Sequence, residues 1–328
     1  PEPPRRTHSQ GFRSGLRGRS ELAGISAKDV KALRDQSGAG MMDCKKALAE
    51  TSGDIEAAVD ALRKKGLAAA AKKAGRTTAD GLIGMALEPG KGALVEVNSE
   101  TDFVARNDAF QALVTQITDL AIAARGDVEA LKAATIPATG KSVTDSIADA
   151  IGVIGENINL RRTAMLEVGN GTVAGYVHQQ AAPGLGRMGV LVALESSSGG
   201  EALESFGKQL AMHIAATNPQ SITVADLDPR VVERERSIFA DQARASGKPD
   251  SIIEKMVEGR LRKFYEESVL LEQTWVMDTD KKVKDALAEA GKVLGTTVTV
   301  AGFVRLALGE GIAKEENDLA AEVAKLTA

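Results

Sequence analysis

A hairpin, a loop and a helix occur in the same order twice in this chain, and that repetition limits the folds open to it more than any other feature. The first copy reads Asp80-Gly81-Leu82-Ile83-Gly84-Met85-Ala86-Leu87, a turn at Pro89-Gly90-Lys91-Gly92, and the apolar run Ala93-Leu94-Val95-Glu96-Val97. A polar loop at 98–108 follows, and 109–124 has the spacing of a helix opened by Asn107 or Asp108 as N-cap. The second copy has Gly175-Tyr176-Val177-His178, a turn containing Pro183-Gly184-Leu185-Gly186, the run 190–194, a Ser/Gly loop and a helix over about 201–216. Leu120-Ala121-Ile122-Ala123-Ala124 in one helix is echoed by Met212-His213-Ile214-Ala215-Ala216 in the other. Apolar runs bounded by Gly and Pro, each feeding a helical period, predict an α+β fold with two related subdomains.

The remaining segments are arranged around these copies. Ser26-Ala27-Lys28-Asp29 is a capping-box start for a short helix carrying Val30 and Leu33, which Gly38-Ala39-Gly40 breaks. A second helix over 42–50 turns Cys44, Ala47 and Leu48 to one face. Asp54 caps a third, with Gly66 standing where a C′ glycine belongs and 67–74 read as a separate Ala/Lys connector. Between the copies, 142–151 is helical and 163–168 is a strand. Beyond them, Asp228-Pro229 opens one helix and Asp250 another; each has one apolar stripe, which makes an antiparallel hairpin projecting from the body. A capped helix at 280–290, a strand at 296–308 and a charged helical tail complete the chain. The divisions expected are a basic tail (1–24), a three-helix domain with connector (25–75), a first core subdomain (76–168), a second (169–228 with 269–308), the helical hairpin (229–268) and a C-terminal tail (309–328).

Composition narrows the function classes. The chain has 328 residues, too many for one ordinary core. No apolar run approaches the ~20 residues of a membrane helix, so no membrane association is expected. A single cysteine, Cys44, excludes an internal disulfide and a multi-cysteine metal site, and suits a reducing cytoplasm. Of the −4 net charge, residues 1–24 contribute five Arg against Glu2 and Glu21, leaving an acidic body. That body and an aromatic content of 3% argue against direct nucleic-acid binding. The Arg-rich tail is expected to be disordered; as the remnant of a targeting segment it would move the location from cytoplasm to an organelle matrix.

Two motifs mimic nucleotide sites. Gly184-Leu185-Gly186-Arg187-Met188-Gly189 matches GxGxxG but leads into a strand, whereas the fingerprint requires a helix N-terminus. Gly140-Lys141-Ser142 resembles the end of a P-loop, but Thr135 occupies the first glycine position and Pro137 interrupts the loop. With no Ser/His/Asp set, carboxylate pair or HExxH, the chain is not expected to be an enzyme or to bind a cofactor or metal. The loop at 98–108 is different. It places Phe103, one of seven Phe in the chain, among polar residues, either folded onto the core or presented to a partner. The second copy has Ser196-Ser197-Ser198-Gly199-Gly200 there and no aromatic. A ring required by the shared core should recur, which favours presentation.

Gly38-Ala39-Gly40-Met41-Met42-Asp43-Cys44-Lys45-Lys46-Ala47-Leu48, Thr101-Asp102-Phe103-Val104-Ala105-Arg106-Asn107 and Ile154-Gly155-Glu156-Asn157-Ile158 strongly resemble the bacterial elongation factor Ts family. So do Met212-His213-Ile214-Ala215-Ala216 and Lys255-Met256-Val257-Glu258-Gly259-Arg260; the likeness runs from about Ile25 to the C-terminus. The resemblance implies a guanine-nucleotide exchange factor for elongation factor Tu, with a ubiquitin-associated-like N-terminal domain. It implies partner contacts at Lys45, Thr101, Asp102, Phe103, Val104, Ile154, Gly155, His178, Val276 and Met277, with Asp102 and Phe103 entering near the partner's magnesium and phosphate site. It also implies a dimerising coiled coil at about 229–268. Two features depart from the family pattern: the hairpin after His178 is longer, and Trp275 replaces a Phe. A plain adaptor built on the three-helix domain, or a nucleotide-binding enzyme, are the alternatives.

Overall fold

The computed structural model describes residues 25–245 and 247–313. The expectations for the tail at 1–24 and for a helix at 314–328 therefore lie outside the described residues. Helices α1 (Ala27–Ser37), α2 (Met41–Glu50) and α3 (Ile55–Lys73) come first. Ser26 caps α1 with the full capping box to Asp29, and Gly38 ends it at φ 68. Val30, Leu33, Cys44, Ala47, Leu48 and Ala58 form their common core.

Gly66 does not end the third helix. It lies buried inside a continuous α3, and the expected connector is its last two turns. A Cβ built on Gly152 would lie 3.0 Å from the Gly66 Cα, so this glycine pair lets two backbones cross closely. A crossing partner far away in sequence explains why the local signal read as a stop.

The next elements are β1 (Asp80–Glu88), β2 (Lys91–Ser99), α4 (Asp108–Ala121), α5 (Val128–Ala133), the short pair β3 (Thr135–Ile136) and β4 (Lys141–Ser142), α6 (Val143–Ile154) and β5 (Ile158–Glu167). The second half follows with β6 (Gly171–His178), β7 (Leu185–Gly186), β8 (Met188–Ser196), α7 (Glu201–Thr217), α8 (Pro229–Arg244), α9 (Asp250–Ser268), α10 (Val283–Leu294) and β9 (Val298–Ala307). Helix α6 continues to Ile154 rather than 151 because Gly155 at φ 88 supplies the left-handed cap. Helix α10 starts at Val283 rather than 280, since Asp278 and Lys281 are used in a turn that closes with Lys281 N donating to Asp278 O. Residues 308–311 form a turn where a helical tail was expected.

The strand orders are β5-β2-β1-β7 and β6-β8-β9, so β1-β2-β5 with α4 corresponds to β6-β8-β9 with α7. The correspondence extends to irregularities. The β2–β5 register slips between Glu96 and Val97, and β8–β9 slips between Ala193 and Leu194, the equivalent place. Gly81 (φ 121) and Gly171 (φ 138) occupy matching positions where a Cβ would meet the Val97 or Leu194 carbonyl at 2.2 or 1.9 Å. Alternation along the strands sorts the core into layers. On β2, Ala93, Val95 and Val97 face α4 and α6, whereas Leu94 faces the other sheet with Ile83, Val173 and Leu191. On β8, Val190, Val192 and Leu194 join the core around α7 and Trp275. The result is helices, sheet, sheet, helices.

Glu96 closes one end of the sheet–sheet layer. Its side chain is fully buried, and it accepts from Arg161 Nη1 (3.0 Å), Arg162 Nε, Asn98 Nδ2 (3.0 Å) and Gly309 N (2.8 Å). The β-bulge explains how two consecutive arginines reach one carboxylate: the extra residue turns both to the same side. Arg161 and Arg162 also donate to the carbonyls of Glu310 (2.7 Å) and Ala307 (3.1 Å), joining β5 to the end of β9. Burial pushes the Glu96 pKa up, but the hydrogen bonds from Gly309, Asn98, Arg162 and Arg161 outweigh it and hold the carboxyl below 4.5. Its stabilisation is therefore present at neutral pH and is lost as pH falls from 4.5 through the lowered folded value. Glu96→Ala, which leaves Arg161 without a counter-charge and Arg162 with only Glu310 at 3.7 Å, should lower the unfolding free energy by about 3–5 kcal/mol in urea titrations at pH 7. The deficit relative to wild type should shrink below pH 4.

Candidate functional site

Strand β2 and helix α4 set the ends of the loop that carries Phe103. Asn107 caps α4, its side chain accepting from Ala109 N (2.9 Å) and Phe110 N (3.1 Å). Val104 and Ala105 are buried in the first core within a single 3-10 turn, and Gln111 donates to Ala105 O at 2.9 Å. Phe103, the residue before this anchor, is 76% exposed. Val104 is 5% exposed, and its side chain anchors the loop.

A second set of contacts braces the loop from the side. Thr101 donates from its N (2.9 Å) and Oγ1 (2.6 Å) to the two Glu156 carboxylate oxygens. Glu100 accepts from Asn157 N at 2.6 Å and pairs with Arg76 at 3.3 Å, while Asn157 Nδ2 donates to Arg76 O at 2.9 Å. Glu156 and Asn157 follow Gly155, whose carbonyl accepts from Lys73 Nζ at 2.6 Å. The end of α6, the end of α3 and the Phe103 loop are thus one connected unit, with Asp102 exposed at its tip. Ile154 is half-buried against the first core and Gly155 is exposed. The braces Glu100, Glu156 and Asn157 were not singled out from sequence. The only available signal was that Glu156 and Asn157 follow Gly155 within a recognised signature.

The other expected residues lie elsewhere. Lys45 is exposed on α2, beside Met41 and Met42, two apolar side chains exposed at 61% and 75%. Val153, 47% exposed, borders the same cleft as Gly40 and Asp43 at the head of α2. None of these three was expected. His178 is exposed at the end of β6, with Tyr176 Oη 3.0 Å from its Nδ1.

Val276 and Met277 are exposed on the second subdomain, in a turn held by Trp275 and His213. Trp275 is buried, 5.1 Å from the His213 ring and 6.0 Å from Phe206. Val276 N donates to His213 Nδ1 (3.3 Å), and His213 Nε2 lies 2.9 Å from Gln273 Oε1. An Nδ1 that accepts and an Nε2 that donates define a neutral ring. Burial lowers the His213 pKa below 6.5, against a smaller upward pull from Gln273.

The motifs that imitate nucleotide sites are occupied structurally. Ser142 caps α6, accepting from Asp145 N at 3.0 Å, and Lys141 pairs with Asp149 at 2.6 Å. Gly186 and Gly189 lie in strands. Among the described residues, no group of three or more His, Cys, Asp or Glu could hold a metal, and no helix is long and apolar enough to cross a membrane.

The family profile described as "Elongation factor TS" matches residues 100–310, the span holding the Phe103 loop, strand β5, the whole β6-β8-β9 sheet and the Val276 turn. The chain belongs to the elongation factor Ts family. Elongation factor Ts of Sinorhizobium medicae is 60% identical over 300 residues, covering 92% of this chain and 98% of the relative. Those of Rhizobium meliloti and Rhodospirillum rubrum are 59% and 57% identical, with the same coverage. Against this family setting, the neutral His213 is a testable support for the Val276 turn. Trp275 is the single tryptophan, so its fluorescence should titrate with a midpoint below 6.5. His213→Gln should abolish that titration. Because the folded pKa is lowered, native stability should fall as pH drops from 6.5 to the folded value and then level off.

Proposed function

We propose that the chain is a guanine-nucleotide exchange factor for elongation factor Tu, acting without covalent chemistry. The observation that carries the mechanism is an aromatic ring exposed on a loop whose neighbours are buried and braced. Such a ring can be driven into a partner without the loop giving way. Asp102 and Phe103 enter near the partner's magnesium and phosphate site, and Thr101 and Val104 flank them in the contact. Lys45, Ile154, Gly155, His178, Val276 and Met277 make the wider contact.

Exchange needs only a coupling between two binding events. A factor that favours a partner conformation with weak nucleotide affinity is itself weakened by nucleotide to the same degree. Burying one Phe contributes roughly 1.5–3 kcal/mol, about 10- to 150-fold in an equilibrium constant. The remainder must come from other contacts, which accords with candidate residues spread from Lys45 to Met277. The relatives are bacterial, which supports a cytoplasmic setting and lends none to the organelle alternative.

The three helices at 25–75 are proposed as the ubiquitin-associated-like unit, set on the first core subdomain through the packing of α3 on α6. The hairpin at 229–268 is proposed as a coiled coil that pairs two copies. Its helices already pack on each other through Ala243, Ile253, Val257 and Leu261, yet Ile238 and Ile252 stay exposed. Light scattering of the chain with and without this hairpin tests the pairing; the same number of copies per particle in both overturns it. An adaptor role would instead require 25–75 alone to bind the partner without nucleotide release. Stopped-flow release of labelled GDP from elongation factor Tu decides the main reading. Phe103→Ala should reduce the maximal release rate by about tenfold or more while leaving the melting temperature unchanged, because the ring supports no core.

A further inference from the structure

Within the repeated hairpin-loop-helix unit the two halves differ in length at two places, and both open on one cleft. The first difference is the segment between second strand and helix: residues 100–107 in the first half against 197–200 in the second. It carries Phe103. The second is the hairpin turn: 89–90 in the first half against 179–187 in the second. That longer turn lies beside the Phe103 loop. Asp102, Ala105 and Arg106 from one, with Gln179, Gln180 and Ala181 from the other, line a cleft of about 520 Å³.

Half of the long turn has a structural explanation. Leu185 and Gly186 pair with Gly84 and Ile83, adding a short strand to the open edge of β1. Leu185 is buried in the first core, Met85 N donates to Gly184 O at 2.9 Å, and Arg187 pairs with Asp80 at 3.4 Å. Ala181 N donates to Leu185 O at 2.9 Å, which fixes the preceding residues too. This stapling accounts for 184–187. It does not account for Gln179 and Gln180, whose exposed side chains make no hydrogen bond among the described residues, nor for Gln179 holding a left-handed φ of 50. Across the cleft, Asp102 and Arg106 make no ion pair among the described residues.

We propose that the cleft between the Phe103 loop and the 179–187 turn is a second recognition surface, which grips a polypeptide segment of the same GTPase partner. This rests on the exchange reading above. The chemistry selects the occupant: primary amides donate and accept like peptide groups, and the carboxylates of Asp102 and Asp108 balance the guanidiniums of Arg106 and Arg187, which favours neither a polyanion nor a polycation. Its rigid attachment to β1 and its contiguity with Asp102 make it part of the approach surface. The cleft governs how tightly the partner is held, and Phe103 governs how fast nucleotide leaves.

The test is GDP release at increasing factor concentration, with calorimetric binding to nucleotide-free elongation factor Tu and a melting curve for each variant. Ala181→Arg, which fills the cleft and keeps the Leu185 staple, should raise the half-maximal concentration about tenfold or more and leave the maximal rate unchanged. Gln180→Ala should shift it in the same direction by less. Phe103→Ala should do the reverse, lowering the maximal rate. If both cleft variants bind and exchange like wild type with unchanged melting, the proposal is overturned while the exchange function stands. If Ala181→Arg melts early, Gln180→Ala alone decides. If the wild-type chain binds the partner but releases no GDP, the exchange reading fails and the calorimetric comparison still judges the cleft; absence of binding overturns both.

Discussion

The two sheets lie face to face only because side chains are missing where they meet most closely. A Cβ on Gly189 would lie 2.7 Å from Leu94 Cδ2 and 2.9 Å from Ile83 Cγ2, and one on Gly92 would lie 2.8 Å from Val173 Cγ1. Leu94, Ile83, Val173 and Leu191 fill the space these glycines leave. Interiors are packed as densely as crystals, so a methyl at such a position must push one sheet from the other. All the proposed partner contacts hang on this interface. The Phe103 loop grows from one sheet, the His178 hairpin from the other, and the Val276 turn from helices packed on the second. The separation of the sheets sets the separation of the sites.

Glu96 shows how a polar group can serve the same interface. A buried carboxylate would normally be a liability, since desolvation disfavours its charge. Here the bulge in β5 turns Arg161 and Arg162 towards it together, and both continue to the carbonyls after β9. The second half has the same bulge, at Ala193 and Leu194, but Ala193 is the residue in Glu96's place. Duplication therefore preserved the backbone irregularity, while only one copy uses it for a charge network. The bulge belongs to the fold; the ion pairs belong to the join between its halves.

Much of this was legible because it is local. The capping box at Ser26, a helix cap at 107–108, the break at Gly38 and the strand character of β2 follow from backbone valence and local composition, which neighbours in sequence determine. What could not be read depends on distant partners. Gly66 looks like a helix stop until Gly152 crosses it. Glu96 is one polar residue in an apolar run until a bulge on another strand supplies two arginines. The exposure of Phe103 was readable, through the comparison with Ser196 to Gly200, because the chain contains its own control copy. The braces at Glu100 and Glu156 had no counterpart to compare, and each joins distant segments: Glu100 meets Asn157 after α6 and Arg76 after α3, and Glu156 after α6 meets Thr101.

Those braces decide whether an exposed ring can do mechanical work on a partner. Fixing the backbone of one residue costs roughly 1–2 kcal/mol, and burying a Phe returns roughly 1.5–3 kcal/mol. A loop that had to order even two residues on binding would lose most of what its ring contributes. Thr101 held twice by Glu156, Glu100 held by Asn157 and Arg76, and Val104 and Ala105 sunk in the core mean that this ordering is complete before the partner arrives. In the proposed exchange role, the ring's burial is then available to distort the partner's site rather than to organise its own loop. A flexible Phe would bind and yield. One fixed by its neighbours transmits the displacement to whatever it enters.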